Sequence, residues 1–168
     1  MRNLLFILVA VAIGLSSCSK SDEADVYNPA SDGLVGNWKS SGANVAVLLS
    51  SYFKVDSILA RFDANNTYYV ESYALGTKTI YSGTYVQTKP ATGSIWTIIL
   101  NQSTPTAVTS EGIFEITKAE TGYTMKYEVV QTTPSINATP PTIAAGFGST
   151  NGGKLGTMNI QTFIQVVK

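Results

Sequence analysis

The residue types that carry most enzymatic chemistry are scarce in this chain. There is no histidine and a single cysteine, Cys18. A Ser-His-Asp or Cys-His arrangement is therefore excluded, and so are imidazole metal sites, which leaves oxygen ligands for any cation. Carboxylates are the remaining candidates. Asp22, Glu23 and Asp25 cluster in "DEAD", which reads as a solvated charge run. Glu115 and Glu128 have surface explanations in a paired strand, so two acids converging in a cleft, as glycoside hydrolysis needs, are not in view. The glycine-rich "GFGSTNGG" (146–153) lacks the preceding strand that a phosphate-cradling loop needs. The expectation is a protein that is not an enzyme and uses neither cofactor nor metal.

One acid keeps a possible binding role. Asn65-Asn66 reads as a two-residue hairpin turn between "DSILARFDA" and "TYYVESYAL", since asparagine tolerates positive φ. That register pairs Phe62 with Tyr69, Ala60 with Glu71 and Ile58 with Tyr73, and puts Glu71 on one face with aromatic rings. Facing inward, Glu71 is a polar anchor in an apolar pocket; facing outward, it is a solvated acid beside tyrosines. The candidate ligand contacts are Glu71, Tyr69, Tyr73 and Phe62.

The elements that must position these residues are short strands. From Leu34 onward, alternating β-type runs are punctuated by turns. "LVGNWKS" puts Leu34, Gly36 and Trp38 on one face, and "GTMNIQTFIQVV" puts Met158, Ile160, Thr162, Ile164 and Val166 on one face. With the runs between, the count is eight. "ANVAVLLSSYFK" has Val45, Leu48, Leu49, Tyr52 and Val55 at helical spacing, which predicts a short helix between the first two strands. The turn "KAETG" predicts Glu115 opposite Lys126 and Thr117 opposite Thr124 on the wet face. Phe114, Ile116, Tyr123, Met125, Tyr127 and Val129 then take the other. The Pro- and Gly-rich stretch 132–156 reads as an irregular flap, with Thr139 placed to cap a helical turn begun by Pro140. Eight antiparallel strands in sequence order close into an up-and-down barrel, which removes exposed edges.

The N-terminus has the anatomy of a secretory signal: Arg2, then "LLFILVAVAIGL", then small residues. Its end, "LSSC" (Leu15 to Cys18), resembles the lipobox of bacterial lipoproteins. The resemblance implies cleavage before Cys18 and lipid attachment to it, anchoring the chain in the outer membrane, facing the periplasm or the cell surface. The division expected is a signal peptide over 1–17, a flexible tether over 18–32 and a barrel over 33–168. Acidic and basic residues balance at 11 each, and without a basic cluster no nucleic-acid partner is expected. A monomer is expected.

"GNWK", "RFDANNTYYV" and "YSGTYV" resemble the Gly-x-Trp and turn motifs of lipocalin-like bacterial lipoproteins. The resemblance implies a mainly β, eight-stranded lipocalin-like barrel, with Gly36 allowing close approach and Trp38 closing the floor. It also implies a small apolar or amphipathic ligand inside. The alternative is a filled barrel that contacts protein or glycan through its loops. Lipocalins commonly cover that tryptophan with a last-strand arginine; none exists here, and Arg61 is the candidate replacement. Asp56-Ser57-Ile58 resembles a bacterial O-glycosylation site.

Overall fold

A computed structural model describes residues 27–167; the signal, Cys18 and the "DEAD" cluster lie outside them. Eight strands form a closed barrel in which each is antiparallel to its neighbours in sequence and the last pairs with the first. They are β1 (Gly36–Ser41), β2 (Val55–Phe62), β3 (Thr67–Ala74), β4 (Thr77–Thr88), β5 (Ile95–Thr104), β6 (Val108–Lys118), β7 (Tyr123–Thr133) and β8 (Gln161–Gln165). A single helical turn, α1 (Pro29–Asp32), precedes the barrel. The predicted helix is present as α2 (Val47–Tyr52), entered through a 3-10 turn at Gly42–Asn44. It turns Leu49 toward the core, while Tyr52 is exposed.

Alternation decides which side chains enter the barrel. Trp38, Ile58, Ala60, Phe62, Tyr85, Phe114 and Met125 are all buried within it. The β6–β7 ladder has the predicted register, Glu115 opposite Lys126 and Thr117 opposite Thr124, and the two threonine hydroxyls are 2.9 Å apart. Gly83 and Gly112 permit the tight coiling of so small a barrel. A Cβ at either would lie 2.0 Å from a neighbouring strand's carbonyl oxygen.

The β2–β3 register differs from the predicted one by a single residue, and this reverses the face. Phe62 pairs with Tyr68, Arg61 with Tyr69, Leu59 with Glu71 and Ser57 with Tyr73. The loop is longer than a two-residue turn: Asn66 N–H donates to Asp63 O at 3.0 Å, Asp63 N–H to Thr67 O at 2.9 Å, and Asn66 has φ +65°. That is a turn followed by a left-handed residue, a common hairpin alternative. Because side chains alternate with period two, the slip moves Tyr69, Glu71 and Tyr73 outside and brings Tyr68 in.

One end of the barrel is sealed. Trp38 is 1% exposed, and its indole N–H donates to Leu34 O at 2.8 Å. Its cover is Tyr27, edge-on at 6.2 Å, which in turn meets Tyr123 at 5.1 Å. Arg61 does not perform this role. It lies outside, paired with Asp63 at 3.2 Å and stacked over Tyr69. Residues 27–34 are tied down: Tyr27 donates to Gly33 O, while the Gln87 amide accepts from Leu34 N and donates to Asp32 O. Gly36 is needed for its φ of +136°, not for close approach, since a Cβ there would have no neighbour nearer than 3.8 Å.

The stretch between β7 and β8 folds back along the outside of the barrel. It has no helical turn at Thr139. Instead Thr142 caps a turn closed by Gly146 N–H on Thr142 O, and 3-10 turns follow at Thr150–Gly153 and Gly156–Asn159. Glu128, predicted to be solvated, is fully buried beneath it. Its carboxylate accepts from Gly148 N at 2.6 Å, from Thr150 N at 3.2 Å and from the Thr150 hydroxyl. Lys126 sits over the Phe147 ring at 4.5 Å. Ile113, opposite Glu128 on the same outer face, is also fully buried. In β8 the inward residues are Gln161 and Phe163, leaving Ile164 exposed, as is Val166 just past the strand.

Candidate functional site

Above the sealed floor the barrel is not filled. A cavity of about 250 Å³ lies inside it, toward the α2 end. Its walls are apolar, from Ile58, Phe62, Val70, Leu100 and Phe163 among others, and Ala46 and Leu49 reach over it from the α2 segment. Polar groups concentrate at the strand ends on that side: Gln102 late in β5, Ser110 early in β6, and Asn159 and Gln161 where the chain enters β8. An apolar chamber with a polar rim is the usual form of a small-molecule site.

Gln161 holds the α2 segment in place. Its amide oxygen accepts from Ala46 N at 2.9 Å and its amide nitrogen donates to the Ser40 hydroxyl. Asn159 donates to Val129 O at 3.0 Å and so fixes the rim against β7. These amides, buried at Gln161 and half-buried at Asn159, are largely committed to the protein, which makes the rim rigid.

Two of the phenols lining the chamber are deeply buried. Tyr68 on β3 and Tyr127 on β7 are 5% and 9% exposed and both line the cavity. Burial pushes the Tyr68 phenol up to about 12. It raises Tyr127 further, with Tyr68 adding to the effect. Both are therefore neutral donors at physiological pH, unsuited to proton abstraction.

Of the four predicted contacts, only Phe62 lines this cavity. Glu71, Tyr69 and Tyr73 form a cluster on the outer face. Glu71 accepts from Tyr73 at 2.6 Å, Tyr69 at 3.1 Å and Lys78 at 3.1 Å. The Tyr73 hydroxyl above all, then Lys78, holds its carboxyl below the usual range. It is a satisfied surface acid, with Tyr69 and Arg61 beside it in a shallow outer depression. Ser57 also lies on the outer face of β2, its hydroxyl donating to Asp56 at 2.7 Å. The cavity residues missed from sequence, Tyr68 and Tyr127, carried one usable signal: Tyr127 already sat on the inward face of the correctly paired β6–β7 hairpin.

The architecture is thus mainly β, a closed eight-stranded antiparallel barrel compatible with a lipocalin-like fold. No protein-family model, curated protein or solved structure matches the chain.

Proposed function

We propose that this chain is a lipid-anchored, lipocalin-like protein of the bacterial outer membrane that holds a small apolar or amphipathic molecule inside its barrel. The observation that carries the binding part is the apolar cavity of about 250 Å³ between the aromatic floor and α2. An eight-stranded barrel can either fill its interior with side chains or leave room for one small ligand, and this interior leaves room. The anchoring part rests on "LSSC" ending at Cys18 behind an apolar signal.

The test is calorimetric titration of the mature domain with naphthalene, a neutral probe of suitable size. Saturable binding to one site is expected, and Val70→Trp, which fills the chamber, should abolish it while circular dichroism stays native. Absence of binding to the wild-type domain, or binding that survives Val70→Trp, would sink the reading. For the anchor, Cys18→Ala should move the protein from the membrane fraction to the soluble one.

A further inference from the structure

The cavity's chemistry narrows what it can hold. None of its lining side chains is Asp, Glu, Lys or Arg. An ionised ligand group drawn into the chamber would lose its hydration with no opposite charge to compensate, which is strongly unfavourable. The occupant's buried part is therefore neutral.

It is also not purely hydrocarbon in character. In the closed ring of eight strands, β3 and β7 stand four positions apart, on opposite walls. Tyr68 and Tyr127 thus extend from facing walls into the same space. Both residues are more than nine-tenths buried, and neither hydroxyl is hydrogen-bonded to another group among the described residues; since no fully enclosed polar atom there lacks a partner, both hydroxyls open onto the cavity. Other buried polar side chains here are satisfied, as Glu128 and Gln161 show. A buried hydroxyl normally finds a partner, and these two face the cavity.

Size follows from comparison. An engineered apolar cavity of about 150 Å³ accommodates benzene; by proportion, 250 Å³ holds roughly ten non-hydrogen atoms. We propose that the occupant is a neutral molecule of roughly that size carrying one hydrogen-bond-accepting oxygen, held between the Tyr68 and Tyr127 hydroxyls. This inference rests on the barrel-binding reading above and adds the ligand class to it.

The experiment compares three probes of similar size on the mature domain: 1-indanone (one carbonyl acceptor), indane (none) and hydrocinnamate (an anion). Each is titrated against wild type, Tyr68→Phe and Tyr127→Phe. Each variant keeps the ring and should fold, as checked by circular dichroism. Expected is an affinity loss for 1-indanone of roughly 5–10-fold in each variant, the worth of one buried hydrogen bond. Indane affinity should change by less than about twofold, since it makes no such bond. Equal losses for ketone and hydrocarbon would overturn the role of the hydroxyls. Tighter binding of hydrocinnamate than of 1-indanone would overturn the neutral class. Either result leaves the barrel-binding reading standing, whereas failure of all three probes to bind wild type overturns both.

Discussion

Glu128→Gln tests how the outer flap is held, because it removes a charge without changing shape. In the native protein one carboxylate oxygen accepts from Gly148 N at 2.6 Å; the other accepts from Thr150 N at 3.2 Å and from the Thr150 hydroxyl. No lysine or arginine forms an ion pair with Glu128 among the described residues. A glutamine amide must replace one of these oxygens with an NH₂ group. Placed toward Gly148, the amide nitrogen opposes an N–H. Placed toward Thr150, it opposes the backbone N–H, although the hydroxyl can rotate to accept from it. The second arrangement loses least and leaves one buried N–H without a partner, a cost of about 1–3 kcal/mol. Removing an uncompensated buried charge offsets part of that cost. The net loss expected is about 1–2 kcal/mol. Thr150→Val, which keeps the backbone bond, should cost a similar amount, because a hydroxyl bond to a charged acceptor is worth about 1.5–3 kcal/mol. Urea unfolding gives the magnitude, and hydrogen exchange at the Gly148 and Thr150 amides gives the location. Unchanged stability together with unchanged exchange at those two amides would refute the idea that Glu128 holds the flap.

Trp38→Ala should lower stability by ~3–5 kcal/mol, the usual range for truncating a buried aromatic, while leaving probe binding in the α2-end cavity intact. Urea unfolding followed by Trp96 fluorescence checks the first part and calorimetry the second; loss of binding without loss of stability would make Trp38 a ligand residue. The buried phenols predict an alkaline limit. Burial raises Tyr27, Tyr68, Tyr85 and Tyr127 above the ordinary value of 10.0. A group whose folded value is raised contributes stability that is complete below its unfolded value and is lost as pH climbs past it. Stability should therefore hold to about pH 10 and fall above it. Tyrosinate absorbance should show the exposed phenols ionising first and these four only with unfolding. One common step for all nine tyrosines in a protein that stays folded would contradict the burial.

Local patterns, read without the fold, were enough for the strand runs, the helix after β1 and the β6–β7 register, where cross-strand pairs of matching chemistry leave one sensible alignment. The floor position of Trp38 came from the resemblance of "GNWK" to the Gly-x-Trp motif, and Trp38 is buried there. The β2–β3 hairpin was not decided locally. Both its faces carry aromatic residues, so a loop longer by one residue exchanged Tyr69 and Glu71 for Tyr68 without violating any pattern. The cover over Trp38 was likewise hidden, since Tyr27 lies in a polar lead-in with no periodicity and is recruited by closure of the barrel. Glu128 looked like a wet-face acid in its strand; only the return of a segment some twenty residues later buries it. What the sequence alone determined is the identity and facing of most strands, which depend on period-two burial and turn chemistry. The tertiary structure alone decided which residues line the cavity and what covers the outer face, since both depend on contacts between segments far apart in the chain.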